Sequence, residues 1–145
     1  MKSNIIVKFG KEDIRLVKMS FRGAQDDKYK LIVPGILPID PRTGEIVHYS
    51  GGNIDGSAVR QTIQCLDNLE TILRVPEYTL GSVFKVVVYL DSDLQEKVIT
   101  EVISNLKKRL PNCNFTFAPG NIPRVVHGPK IFVQIDPVEV WNGIF

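Results

Sequence analysis

Apolar and polar residues alternate through the first third of the chain, a period-two pattern typical of β-strands. Residues 4–9 and 13–20 are two such runs, and Gly10 lies at the turn between them. A third extended run covers residues 30–37, where Pro34 removes a backbone donor and so indicates an edge or a bulge. The pattern predicts an opening hairpin followed by a third strand.

The segment of residues 40–44, D-P-R-T-G, then predicts a turn between two further strands. Beyond it the pattern changes to the helical period in two places. From Asp55 or Ser57, either of which can cap a helix, apolar residues recur at three- and four-residue steps as far as Leu73. A second helix is predicted from Ser92, where Ser92 and Gln95 match a capping box, as far as the next proline.

Three more strands complete the pattern. Residues 83–90 form a near-continuous apolar run with the composition of a central strand. Strands are also expected at about residues 113–118 and 130–136, separated by a loop rich in proline and glycine at residues 119–129. The predicted order is mostly β, then α, β, α, β, β.

This order indicates an α+β fold in which two helices lie on one face of a sheet of about six strands, because two helices cannot cover both faces. The opposite face has to be buried by something else. The simplest covering is the same face of identical subunits. The layer arrangement alone therefore predicts an oligomer.

Composition limits the class of protein. The 145 residues are 43% hydrophobic and 23% charged, which predicts one globular domain over residues 1–145. No segment approaches the ~18 apolar residues of a membrane helix, and the first residues do not match a signal peptide. Cys65 and Cys113 lack metal-site or C-x-x-C spacing. We expect a reduced, cytoplasmic protein with no membrane contact.

The charged and polar residues suggest no catalytic centre. The net charge is +2, and the only basic cluster, residues 107–109, falls at the end of a predicted helix, where cations favour the helix dipole. This scattered charge argues against a nucleic-acid partner. His48 and His127 have no ligands at metal-site spacing, and the sequence has neither a phosphate-binding loop nor a serine elbow. Neither a metal nor a cofactor is predicted.

Three stretches of the chain, in order, resemble the signatures of one known family. Residues 33–44 read V-P-G-I-L-P-I-D-P-R-T-G and resemble V-S-G-Q-x-P-x-D-P-x-T-G of the YjgF/RidA family, also called the L-PSP endoribonuclease family. Residues 60–69 look like its Q-T-x-Q-x-L-x-N-L helix, and residues 83–90 look like its V-x-K-V-T-V-Y-L strand. The resemblance covers roughly residues 31–136, and the first thirty residues lack the usual G-P-Y-S-Q-A segment.

The resemblance implies a chorismate-mutase-like α+β fold and a homotrimer with small-ligand clefts between neighbouring subunits. Active members of the family hydrolyse reactive imines and enamines to keto acids and ammonia. In these members an arginine holds the substrate carboxylate through a bidentate fork, which its planar geometry favours. A nearby glutamate is proposed to position or activate water. No cofactor is implied.

The residues that carry this chemistry are replaced here. Asn114 stands at the arginine position, and Gln134 stands at the glutamate position of the V-E-I-E strand, which reads V-Q-I-D. In the S-G-Q signature Gly35 is retained, whereas Pro34 and Ile36 replace the serine and the glutamine. Asn114 offers no charge to a carboxylate, and Gln134 cannot accept a proton at neutral pH. Loss of a charge-assisted fork costs roughly 1.5–3 kcal/mol of binding.

These departures predict a divergent homotrimer that binds a small metabolite and lacks the standard deaminase activity. Its candidate ligand-binding residues are Gly35, Asn114, Arg124 and Gln134, and no residue is assigned a catalytic role. In one alternative, Arg124 in the 119–129 loop brings a guanidinium into the cleft and imine or enamine hydrolysis survives; in the competing interpretation Arg124 is a solvated loop residue. In a second alternative, suggested by the family's older name, the protein is an endoribonuclease or a translation inhibitor.

Overall fold

Both helices pack against a mixed β-sheet in the computed structural model, which describes residues 2–22, 27–49, 54–120, 122 and 129–142. A short 3₁₀ turn at Leu80–Ser82 precedes the first strand after the first helix. In chain order the elements are β1 (Lys2–Phe9), β2 (Glu12–Arg22), β3 (Asp27–Ile32), β4 (Ile39–Asp40), β5 (Glu45–Ile46), α1 (Ile54–Arg74), β6 (Val83–Leu90), α2 (Glu96–Arg109), β7 (Asn114–Pro119) and β8 (Val133–Asn142).

The main sheet has six strands in the order β1-β2-β3-β8-β6-β7, and β4 and β5 form a separate small hairpin. Strands β6 and β7 run parallel, connected through α2, while the other neighbours are antiparallel. Within the described residues this confirms the predicted α+β arrangement of about six strands and two helices.

The opening hairpin is confirmed, with Gly10 in its turn at a φ of 63°. The third strand differs from the prediction, since β3 ends at Ile32 and the chain beyond it leaves regular pairing. Pro34 has no N–H with which to continue the ladder. Pairing resumes only at an isolated antiparallel bridge between Ile36 and Ile135.

The predicted start of the second helix is wrong. Helix α2 begins at Glu96, and its N-cap residue Gln95 makes no side-chain capping bond. The two aspartates of the 91–93 segment instead face Lys130, whose Nζ lies 3.2 Å from Asp91 Oδ2 and 3.7 Å from Asp93 Oδ2. A cation from the distant β8 approach thus holds this segment in a turn and delays the helix by one turn.

The last strand is longer than predicted, because β8 runs on to Asn142 and joins β3 to β6. Its register against β6 shifts between the pairs Val86–Pro137 and Lys85–Glu139. A bulge at this point accommodates a proline, which cannot donate to the ladder.

Two buried amide side chains on α1 hold irregular backbone on either side of the helix. Gln61, which is fully buried, donates from Nε2 to the carbonyls of Val47 (3.1 Å) and Lys130 (2.8 Å), and its Oε1 accepts from the Phe132 N–H at 2.7 Å. Asn68 donates to two carbonyls of the chain after β3. The acceptors are Leu37 (2.9 Å) and Ile39 (2.8 Å).

The two faces of the sheet differ sharply. Both helices cover one face. Neither of these helices, nor any other in the described ranges, is long and apolar enough to cross a membrane. The other face, called the open face below, carries large apolar side chains that remain exposed. They are Ile6, Phe21, Ile32 and Val138.

We expect Gln61→Leu to lower the free energy of unfolding by roughly 3 kcal/mol, because it leaves three backbone groups, two buried and one part-buried, without partners. Urea denaturation followed by circular dichroism measures the loss. Gln64→Leu on the same helix is the matched control, since Gln64 makes one hydrogen bond, to Asn68, and should cost about 1 kcal/mol or less. Equal losses in the two variants would contradict this role for Gln61.

Candidate functional site

The chain that follows β3 lies against β8 and brings Gly35 onto that strand. Ile36 and Ile135 exchange both backbone hydrogen bonds, at 2.7 and 3.1 Å. The thiol of Cys65, buried in α1, donates to the Ile36 carbonyl at 3.5 Å. Backbone bonds on one side and helix α1 on the other therefore fix the position of Gly35.

Gln134 and Asp136 point from β8 toward the open face. Side chains alternate along a strand, and the flanking Val133 and Ile135 are fully buried beneath the helices. A Cβ atom built on Gly35 would lie 2.7 Å from Gln134 Nε2 and would clash with the Asp136 carboxylate. A larger residue at position 35 would therefore force the ends of the Gln134 and Asp136 side chains to move.

Gln134 and Asp136 form one polar unit. Gln134 Nε2 donates to Asp136 Oδ1 at 2.8 Å, and this contact fixes the orientation of the amide because only its nitrogen can donate. The other end of the amide, Oε1, is buried and accepts no hydrogen bond from the residues that the structure describes. An unpaired buried acceptor is costly, by about 1–3 kcal/mol, and therefore marks a place that a donor would stabilise.

The thiols are protonated and therefore unsuited to nucleophilic chemistry. Burial raises the pKa of Cys65 far above its ordinary value and raises the pKa of Cys113 to about 12. In the part of the chain that the structure describes, no cluster of histidine, cysteine or carboxylate side chains could hold a metal ion. The distinctive polar chemistry thus lies at Gly35, Gln134 and Asp136.

Comparisons with known proteins place this geometry in a family. The chain is 32% identical over 96 residues to a RutC family protein of Saccharolobus solfataricus, a match covering 66% of this chain and 71% of the relative. It is 45% identical over 60 residues to a RutC family protein of Pyrococcus horikoshii, covering 41% of this chain and 42% of the relative. The chain belongs to the RutC family. No protein-family profile matches it.

Solved structures share the fold at low sequence identity. A protein of the Rid family from Yersinia pestis superposes with a TM-score of 0.61 at 19% identity, covering 99% of this chain and 100% of that one. YjgF of Escherichia coli gives 0.55 at 17% identity, covering 77% and 80%. TdcF of Escherichia coli, solved with bound serine, gives 0.55 at 17% identity, covering 83% and 84%. The resemblance to the YjgF/RidA family is confirmed, and these structures establish the fold alone.

In this RutC family protein, only two of the four predicted site residues are shown to lie side by side. Gly35 and Gln134 are neighbours, but Asn114 is exposed and registers with Lys85, whereas Gln134 registers with Tyr89. Four residues along a strand correspond to about 13 Å. Within one chain Asn114 therefore does not reach Gln134. Arg124 and His127 lie outside the described residues.

Asp136 is the site residue that the sequence analysis missed. It lies two positions after Gln134 on the same strand, so strand alternation places both on one face. That spacing is visible in the V-Q-I-D segment, where Asp136 supplies a carboxylate beside the amide of Gln134. The contact with Gly35 depends on the Ile36–Ile135 bridge, which the local sequence does not reveal.

We expect Gly35→Ala to displace the ends of the Gln134 and Asp136 side chains and to destabilise the protein by about 1 kcal/mol, the usual worth of one such hydrogen bond. Gly81→Ala is the matched control, since its Cβ would meet nothing closer than 3.4 Å. Chemical denaturation gives the stabilities, and the NMR signal of the Gln134 side-chain amide reports the displacement. An unshifted amide signal in Gly35→Ala would contradict the close approach.

Proposed function

We propose that this protein binds a small metabolite at the open-face site formed by Gly35, Gln134 and Asp136, as a homotrimer and without standard imine deaminase activity. The observation that carries the proposal is the buried Oε1 of Gln134, which has no partner among the described residues and lies on a side chain that closely approaches Gly35. A polar group kept at such a cost is typical of a binding site.

The exposed apolar residues of the open face support self-association. Ile6 is 55% exposed and Ile32 is 46% exposed on a sheet face without helices. Clustered apolar exposure of this kind marks an interface between proteins. The family resemblance implies that three copies cover this face together and that their clefts hold the ligand.

Two polar replacements support the loss of deaminase chemistry. Asn114 and Gln134 are neutral where the family resemblance implies an arginine and a glutamate. Without the guanidinium there is no bidentate fork for a carboxylate, and an amide does not act as a proton acceptor at neutral pH. The rescue of catalysis by Arg124 stays an alternative hypothesis.

The names of relatives suggest the size of the ligand. TdcF was solved with bound serine, so its fold accommodates a molecule of amino-acid size. A putative endoribonuclease of Thermotoga maritima also shares the fold, with a TM-score of 0.58 at 22% identity. The net charge of +2 and the scattered basic residues do not favour RNA for this chain.

The assembly is tested by light scattering. We expect a mass three times 16.3 kDa for the full chain. Ile32→Glu should reduce this mass, because it places a charge in the apolar interface, whereas Ile63→Glu, on helix α1 and 40% exposed, should not. A stable monomer for the unaltered chain would contradict the trimer.

Binding and activity are tested together on the full chain. We expect members of a panel of small amines, amino acids and 2-oxo acids to shift the NMR signals of Gly35 and of the Gln134 side-chain amide. In a coupled assay, freshly generated 2-iminobutyrate should be hydrolysed no faster than in buffer. Hydrolysis that disappears in Arg124→Ala would support the deaminase alternative, and a panel without any binder would overturn the binding proposal.

A further inference from the structure

We infer that the Gln134–Asp136 unit recognises an amine-bearing metabolite by its protonated nitrogen. This inference rests on the proposed small-metabolite site and specifies the chemical class of its ligand. Its basis is that the described atoms of the site offer acceptors without enough donors to match them.

Asp136 is the first of these acceptors. An ionised carboxylate has room for about four hydrogen bonds, and the side chain of Gln134 supplies one, at 2.8 Å. Within the described ranges no lysine, arginine or histidine nitrogen lies within 4.0 Å of the Asp136 carboxylate. The ion pairs of the described residues involve other carboxylates.

Lys30 and Lys85 lie on strands next to β8, and neither forms an ion pair with Asp136 among the described residues. Lys30 pairs with Glu139 at 3.5 Å and lies over the Trp141 ring. Lys85 registers opposite Glu139 rather than opposite Asp136, and it forms no ion pair among the described residues. The carboxylate of Asp136 therefore has no cationic partner among the described residues.

Gln134 Oε1 is the second acceptor. The Gln134 side chain is half-buried. Its amide group rotates easily, because the last carbon–carbon bond of the side chain joins a tetrahedral and a planar carbon. A rotation that exchanges Nε2 and Oε1 would set two oxygens side by side, which is unfavourable unless a cation lies between them. An ammonium has three N–H donors and can satisfy both oxygens at once.

A ligand carboxylate at the same place would meet the opposite conditions. Its negative charge would face that of Asp136, and Gln134 Nε2 already donates its hydrogen bond to Asp136. Repulsion between like charges in a partly desolvated site disfavours such a complex. The unit therefore discriminates between an amine and an acid of the same size.

The test uses two probes of matched length, butylamine and butyrate, added to the full chain at pH 7.5. We expect butylammonium to shift the NMR signals of the Gly35 amide and the Gln134 side-chain amide, and butyrate to leave them unchanged. Asp136→Asn should weaken butylammonium binding at least about tenfold, because it replaces a charge-assisted hydrogen bond by a neutral one. Glu139→Gln, which removes a carboxylate from the same strand, should change the affinity less than about twofold.

The experiment tests the amine inference and the binding proposal by different results. Preferential binding of butyrate at these signals would overturn the amine assignment while leaving a small-molecule site in place. Equal loss of affinity in Asp136→Asn and Glu139→Gln would also overturn it, because it would show a general effect of negative charge. A site that none of the panel amines, acids or amino acids occupies would overturn the binding proposal itself.

Discussion

The architecture depends on two amide side chains buried in helix α1. Residues 33–38, 47–49 and 129–132 lie outside the strands, so their backbone groups have few partners in the sheet. Burying such groups unpaired would be prohibitive. Gln61 and Asn68 supply the partners, five hydrogen bonds between them, and thereby fix these segments to one helix. The Ile36–Ile135 bridge then sets Gly35 against Gln134.

This dependence explains which residues of helix α1 carry the family resemblance. The residues that match the family in the Q-T-x-Q-x-L-x-N-L helix include Gln61, Asn68 and the buried Leu66 and Leu69. Gln61 and Asn68 hydrogen-bond to the backbone, and the two leucines pack in the core, all on the side of the sheet opposite the open face. The side chains of the open face carry little of the packing. Replacing Gln134 or Asp136 would remove none of the partners that Gln61 and Asn68 give to the buried backbone.

Sequence periodicity predicted elements whose causes are local. Helix α1 and the opening hairpin carry their apolar stripe, their alternation and their turn glycine within a few residues. The start of α2 was not predictable in the same way, because Lys130 holds the preceding aspartates from far along the chain. Asp136 was missed for a similar reason, since its contact with Gly35 exists only after two distant segments have paired.

The two proposals for the open face constrain each other. Exposed apolar residues such as Ile6 and Ile32 lie on the same sheet face as Asp136, so subunits that cover the former also withdraw water from the latter. A carboxylate that loses water needs a counter-charge, and its attraction to a cation grows as the surroundings become less polar. Assembly and amine binding would therefore favour one another. By linkage, each would strengthen the other by the same free energy.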